Sequence, residues 1–358
     1  MELKVKRIVV KLGSNLIGTD EGYINLHFIS RLAYQIKKLY TKGIKVVLVS
    51  SGAVMCGANK IGINEKPKDL VLKQALASVG QAYLMHIYDQ IFSNYGMKVG
   101  QILLTLDIFR EEGKFGNAKN TINKLLDMDI VPIINENDTV AVSELIFGDN
   151  DFLAVCTAYM IEADLIVMYS TAGGVRDDGN RIIRKVKNIE EALEYVKNIN
   201  SGFGTGGMRS KLEASRIASL IGIPTIITGM EDELVGIIEF KTAGTIIEPA
   251  EKKVKSRKKI ITMISQPRGI IYVDDGAVKA LKSRKSLLPA GVVYVEGSFS
   301  RGDIVSISDR EGNILGKGKT SFSSDELIKI KGKKTKEVKN IIRNAKEEVI
   351  HADNIIIY

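Results

Sequence analysis

Chemistry in this chain has to come from lysine, aspartate, asparagine, serine and backbone amides. The three histidines, His27, His86 and His351, lack metal-type spacing and a nearby serine or aspartate partner. The two cysteines, Cys56 and Cys156, form no CxxC pair. The polar candidates fall in five short stretches. Lys11-Leu12-Gly13-Ser14 joins a cation to a glycine that lets backbone amides approach a ligand; a plain glycine turn beside a surface lysine reads the same way. Ser50-Ser51-Gly52-Ala53 offers small residues and helix-end amides, which suit an anion or an ordinary serine cap. Asn135-Glu136-Asn137-Asp138 puts four polar side chains together, fitting a turn or a ligand site alike. Gly148-Asp149-Asn150-Asp151 opens a helix, either as dipole-matched acids or as a cluster facing a charged substrate. Gly202 to Lys211 is a glycine loop feeding a helix, with Lys211 one turn in.

The last stretch formally satisfies GxGxxG through Gly202, Gly204 and Gly207. A dinucleotide fingerprint must follow a strand directly and open the first βα unit, and this one does neither. Walker A spacing is absent as well. What remains is a phosphate cradle or a linker.

The elements that position these stretches follow from hydrophobic periodicity. Apolar runs at 5–10, 44–50, 97–104, 129–135, 164–170 and 223–228 read as strands. Helical spacing fills 25–42, 69–94, 117–127, 151–161 and 208–221. Strand–helix alternation over some 240 residues predicts an α/β domain with a largely parallel sheet covered on both faces, a three-layer sandwich. Ligands of such sheets bind beyond the carboxyl ends of the strands. Most of the polar stretches sit at those ends. Beyond about residue 250 the pattern changes to short β segments (270–273, 292–295, 304–307) with one helical piece at 275–284, a small β-rich domain. The expected division is 1–250 catalytic, 251–267 a basic linker and 268–358 the β-rich module.

Charge follows the same division. The 358 residues carry 51 basic and 42 acidic side chains, a net of +9. Residues 251–358 hold 23 basic and 13 acidic ones, a net of +10, which leaves −1 for residues 1–250. The basic excess that would suggest nucleic acid therefore lies outside the strand-end motifs, and aromatics are sparse there, so an RNA-binding role for that module is not the favoured reading. No apolar run reaches the roughly 18–20 residues of a membrane span. Lys11 breaks any secretion-signal core, and a cytoplasmic protein without a membrane partner is expected.

Two lysines, three glycine-rich strand ends and two acid–amide clusters on one sheet edge make an inventory for phosphoryl transfer, which needs positioning and charge stabilisation more than a histidine base. The chain also resembles the amino acid kinase family. The matching segments are VVKLGSN (9–15), VSSGAV (49–54), INENDTVA (134–141), FGDNDFLA (147–154) and GTGGMRSK (204–211). SLLPAGVVYVEGSFSRGDIV (286–305) resembles the PUA module that follows the kinase domain in part of that family.

The resemblance implies ATP-dependent phosphorylation of the γ-carboxylate of L-glutamate with Mg2+, the first step toward proline. It assigns Lys11 and Lys211 to the transferring phosphoryl group, with Asp151 holding both lysines. It assigns Lys11, Gly13, Ser170, Thr171 and Thr205-Gly206-Gly207-Met208-Arg209-Ser210-Lys211 to ATP, and Ser51, Gly52, Asp138 and Asn150 to glutamate; no protein metal ligand is implied. A homo-oligomer, dimer or tetramer, and feedback inhibition by proline are further implications. Other carboxylate, carbamate or nucleotide acceptors, or an RNA role, are the competing readings. One departure stands out: Ser170-Thr171 and Gly174-Val175-Arg176 replace the Thr-Asp and Gly-Leu-Tyr usual after this strand, where nucleotide base or ribose contacts are expected.

Overall fold

A computed structural model of the chain describes residues 5–357, apart from 20–22, 64–66, 68, 106–107, 109–110, 141–148, 197–206, 240, 252–253, 255, 266 and 344. It divides into two units, Met1–Lys253 and Val254–Tyr358.

The first unit begins with β1 (Arg7–Leu12), α1 (Ser14–Ile17), α2 (Leu26–Thr41), β2 (Lys45–Ser50), α3 (Ala53–Ile61) and α4 (Leu70–Ser93). It continues with β3 (Lys98–Leu104), α5 (Glu112–Asp127), β4 (Ile130–Glu136), α6 (Asp149–Met160), β5 (Leu165–Tyr169) and β6 (Lys185–Val186). It closes with α7 (Ile189–Glu194), α8 (Met208–Ile221), β7 (Thr225–Thr228), α9 (Leu234–Ile238) and β8 (Thr245–Ile247). The strands form one sheet in the order β3-β4-β2-β1-β5-β7-β8-β6. All neighbours are parallel except β7 and β8.

Strand order reverses between β1 and β5, so the carboxyl ends of β1, β2 and β5 border the crevice where such sheets bind ligands. β1, β2 and β5 are buried along nearly their whole length, which is why they read as unbroken apolar runs. Side chains alternate between the two faces. Ile8, Val10 and Leu12 join the core formed with α2, α4 and α9, whereas α6 and α8 cover the other face, the one reached by Val9 and Lys11. The three layers expected from the sequence are present.

Helix ends and a close crossing fix the helices beside the site. The Asp69 carboxylate accepts from Leu72 N at 2.7 Å and starts α4. Gly52 starts α3 at φ 101°, a left-handed conformation that glycine adopts without strain. α3 and α4 then cross at Gly57 and Gly80. A Cβ on Gly80 would lie 1.8 Å from Ala53 O, so only glycine permits this approach.

The second unit comprises α10 (Arg257–Ile264), β9 (Gly269–Val273), α11 (Asp275–Lys282), β10 (Val292–Gly297), β11 (Ile304–Ser308), β12 (Ile314–Lys319), α12 (Ser324–Ile330), α13 (Thr335–Ile341) and β13 (Ile355–Ile357). Its five strands run β10-β9-β11-β12-β13, with β9 and β11 parallel and the other pairs antiparallel. Ile271, Val305, Ile307, Phe322 and Ile350 lie in its core. Within the stretch read as linker, α10 is a helix of this unit, and Lys317 Nζ donates to Met263 O and Ser265 O at its end, at 3.3 and 3.1 Å.

Candidate active site

Lys11 is the penultimate residue of β1, and alternation turns it toward α6 and α8. It is only 4% exposed. A buried ammonium needs a counter-charge, and Asp151, in the first turn of α6, supplies it: Lys11 Nζ lies 2.6 Å from Asp151 Oδ1. Lys211, in the first turn of α8 and 5% exposed, approaches Asp151 Oδ2 at 3.4 Å. Two lysines thus share one carboxylate that is fully buried.

Burial by itself would raise the Asp151 carboxyl, but Lys11 and Lys211 outweigh it and hold it below the usual carboxylate range. Burial pushes Lys211 down to about 8; Asp151 opposes that shift and Lys11 adds to it. With both lysines charged, this trio carries a surplus positive charge out of water. That arrangement is unfavourable until an anion completes it, and it suits a polyanion at the sheet's carboxyl edge. The helix ends nearby add amides. α8 starts at Gly207 and α3 at Gly52, and neither has a side-chain cap among the described residues.

The residue before Asp151 enters a different environment. Asn150 Nδ2 donates to Ser51 Oγ (2.7 Å), to Ser50 O (3.2 Å) and to Asn135 Oδ1 (3.1 Å). Asn135, near the end of β4, accepts from Glu136 N at 2.9 Å and donates through Nδ2 to Gln81 Oε1 of α4 at 2.8 Å. Ser50, the last residue of β2, is bonded to the Tyr88 hydroxyl at 2.9 Å. Asn150 Oδ1 is buried and has no hydrogen-bond partner among the described residues. α6 therefore joins two clusters: Asp151 serves the lysines, and Asn150 serves a neutral amide–hydroxyl group.

The structure brings together Lys11, Lys211 and Asp151, and separately Ser51 and Asn150. Gly13 follows β1 directly, and a Cβ on it would be 3.7 Å from Lys11 Nζ. Asp138 lies in the turn after β4, half-buried, and burial pushes its carboxyl up to about 6. No hydrogen bond or ion pair ties Asp138 to the amide group among the described residues. In α8, Met208 is half-buried and Ser210 buried, whereas Arg209 is exposed and pairs with Glu213 at 3.1 Å. Ser170 follows β5 directly, donating its N–H to Thr228 O at 2.7 Å, and Thr171 is exposed. Thr205 and Gly206 lie outside the described residues.

Gln81 and Tyr88 were not legible as site residues, and Asn135 was legible only as part of a polar stretch. A glutamine interrupting the inward stripe of Ala77, Leu84 and Tyr88 was the available signal. That signal is ambiguous, because Gln35 sits in the same way on α2 and accepts the Leu234 amide.

Comparison with known proteins bears on both units. The amino acid kinase family model matches residues 6–229, and the PUA domain model matches residues 269–342. Glutamate 5-kinase of Aquifex aeolicus is 58% identical over 98% of this chain and 99% of its own length. Glutamate 5-kinase of Maridesulfovibrio salexigens is 42% identical over 99% and 97%, and that of Thermotoga maritima 39% identical over 92% of each. Among solved structures, carbamate kinase from Giardia lamblia bound to AMP-PNP superimposes with a TM-score of 0.50 at 17% identity, covering 68% of this chain and 99% of the other; it shares the fold.

Proposed function

This chain belongs to the amino acid kinase family, and we propose that it transfers the γ-phosphoryl group of ATP to the γ-carboxylate of L-glutamate. The products are L-glutamyl 5-phosphate and ADP, the first step toward proline. The pairing of Lys11 and Lys211 on one buried carboxylate carries this reading.

The acceptor carboxylate is ionised at neutral pH, its ordinary pKa being about 4.3. One of its oxygens forms the new bond to the γ-phosphorus as the bond to the β–γ bridging oxygen breaks, and ADP leaves with that electron pair. No proton has to be removed, consistent with a site built without histidine. Lys11 and Lys211 neutralise the equatorial oxygens as charge shifts toward the leaving group. Asp151 keeps both lysines aimed at that point. Amides at Gly13, Gly52 and Gly207 line the phosphate path, and residues 205–211, with Ser170 and Thr171, hold the nucleotide. Ser51, Gly52, Asn150 and Asp138 hold glutamate.

Among the described residues no group of three or more acidic, histidine or cysteine side chains could hold a resident metal ion. Both oxygens of Asp151 already face ammonium groups. Mg2+ enters this reading as the ion carried on the ATP phosphates, the way magnesium commonly reaches kinase sites, and no step of the reading is routed through it.

An ADP-release assay with L-glutamate, N-acetyl-L-glutamate, L-aspartate and carbamate tests the reaction. Release with glutamate well above the others is expected, and faster release with another acceptor overturns the assignment. The resemblance further supports a dimer or tetramer, checked by sedimentation, and inhibition by proline, checked in the same assay. A cytoplasmic location is proposed with them; no described helix is long and apolar enough to cross a membrane. The basic second unit is read as a solvated or regulatory surface, and RNA affinity persisting at about 0.1 M salt would contradict that.

A further inference from the structure

We infer, on the reading that the substrate is L-glutamate, that Gln81 of α4 is a positioning residue that braces the chain of amides presenting Asn150 Oδ1 to the substrate. Two groups of fixed character settle the orientation of the amides. Ser50 O is a carbonyl and can only accept, so Asn150 must turn Nδ2 toward it. Glu136 N–H can only donate, so Asn135 must turn Oδ1 toward it. The Nδ2 of Asn135 then faces α4, and Gln81 answers with Oε1 at 2.8 Å. Asn135 Oδ1 is left to receive Asn150 Nδ2 at 3.1 Å.

The donor side of Asn150 is thus used up on Ser50, Ser51 and Asn135. Its Oδ1 stays buried with no partner among the described residues, and a buried acceptor without a donor is unfavourable. At neutral pH L-glutamate carries one hydrogen-bond donor, its α-ammonium; both carboxylates only accept. The oxygen left over on Asn150 therefore matches the ammonium end of the substrate.

Gln81 holds this polarity from the far end of the chain of amides. Were Asn135 to flip, its Nδ2 would confront both Glu136 N–H and Asn150 Nδ2, donor against donor. Asn150 would then be driven to flip in turn and to present a donor to a cation. Gln81 suits the holding role because its backbone is fixed. The preceding residue, Gly80, packs so closely on α3 that a Cβ would lie 1.8 Å from Ala53 O. Gln81 itself is buried.

Steady-state kinetics of the full chain test this with Gln81→Met, which keeps the length but has no amide, and Gln81→Glu, which keeps an acceptor oxygen in either protonation state. Glutarate, with the same carbon chain and both carboxylates but no ammonium, serves as a competitive inhibitor. In Gln81→Met the KM for glutamate is expected to rise about tenfold, the scale of one buried polar group left unpaired. The Ki of glutarate, the KM for ATP and kcat are expected to stay within about threefold, and Gln81→Glu to restore most of the glutamate KM. Gln81→Ala, which crowds nothing, replaces Gln81→Met if that variant does not fold, and the same split is required of it. An unchanged glutamate KM overturns the inference. So does a parallel weakening of glutarate and ATP, which would mark general loosening, or a Gln81→Glu enzyme that behaves like Gln81→Met. Absence of glutamate turnover in the unaltered enzyme is a different result: it overturns the reading of the reaction itself, and this inference with it.

Discussion

Two clusters stand one residue apart on α6 and are built by opposite rules. Asp151 gathers two ammonium groups into a buried, charged trio. Asn150 gathers a carbonyl, a hydroxyl and a second amide into a buried, neutral one. The first is over-supplied with positive charge, and the second has one acceptor oxygen to spare. Each is complete except for what its ligand brings: an anion in one case, a hydrogen-bond donor in the other. On the proposed reaction the difference gives each substrate end a place: phosphate oxygens with the lysines, and the ammonium end of glutamate with the amides. Charge is the lever where charge moves during the reaction, and hydrogen-bond polarity is the lever where the substrate only has to be held.

The comparison breaks most visibly if the charged side can be removed cheaply. Lys11→Met and Lys211→Met are each expected to lower kcat by about 10²–10³-fold, as when one preorganised charge-stabilising donor is lost. The KM for glutamate should move far less, since that end of the substrate lies with the amides. A near-native kcat in either variant would remove the lysine from the phosphoryl group. Asp151→Ala should be worse for folding than for binding. It leaves two buried ammonium groups facing each other, a loss on the order of 3–5 kcal/mol, read from thermal or denaturant unfolding.

Titration sharpens the same contrast. Lys211 is held down at about 8, chiefly by burial. The charged form stabilises phosphate, so kcat/KM for ATP should fall as pH rises through about 8. Lys211→Arg stays charged throughout and should lack that fall at whatever lower rate it retains. Stability runs the other way. The folded chain holds this proton less tightly than the unfolded chain, whose lysines titrate near about 10.4. The folded state therefore carries its penalty for a charged Lys211 below pH 8, and sheds it as pH rises from about 8 toward the unfolded value. An enzyme that loses activity above pH 8 while this contribution to stability improves would bear the signature of one buried lysine. A loss of activity caused by unfolding would show both declining together.

On the neutral side, Asp138 adds the one titrating group read as part of glutamate binding. Burial raises its carboxyl to about 6. Above that pH it is charged and able to pair with the α-ammonium. Below it the pairing is lost, so the glutamate KM should climb by up to about tenfold per pH unit. Asp138→Asn should raise the KM at pH 7.5 and flatten that dependence. A glutamate KM with the same pH profile in both enzymes would remove Asp138 from the substrate's ammonium.

The charged cluster was far more legible in the sequence than the neutral one, for a physical reason. Lysines and acids beside glycine at the ends of apolar runs are conspicuous, because burying them there is costly unless something uses them. The stretches holding Lys11, Asp151 and Lys211 stood out for that reason, and the family resemblance supplied their grouping, although β1 reaches Leu12 and so holds Lys11 inside the strand rather than after it. Amides announce themselves poorly. Gln81 looks like Gln35, whose oxygen merely accepts a backbone amide. Among the strands, β1 to β5 were visible as apolar runs. β6 and β8 are only two and three residues long, too short to carry a period. β12 contains Gly316 and Gly318, which leave it without an apolar run; a Cβ on Gly316 would lie 2.0 Å from Ile356 O of β13, so the glycine there serves strand pairing.

Tyr88→Phe asks how far the neutral cluster extends, and it should give the smallest effect. Ser50 has a single hydroxyl hydrogen, and its Oγ lies 3.2 Å from Ser51 O, which can only accept. The Tyr88 hydroxyl must therefore be the donor of the 2.9 Å bond to Ser50. Burial raises that phenol further above its ordinary range, so it keeps its proton. Replacing it with Phe removes one donor at the edge of the network and leaves the bond from Ser50 to Ser51 in place. A net loss of about 0.5–1.5 kcal/mol is expected in stability. Because Asn150 is oriented through Ser50 O and not through Ser50 Oγ, the glutamate KM should change by no more than about threefold. The fall in kcat/KM for ATP above pH 8 should not move at all. A KM shift as large as that of Gln81→Met would mean that the whole wall, and not the Gln81 amide in particular, braces Asn150. A shift in the alkaline fall would mean that the two clusters are coupled through α6, and their separation by charge and by polarity would no longer hold.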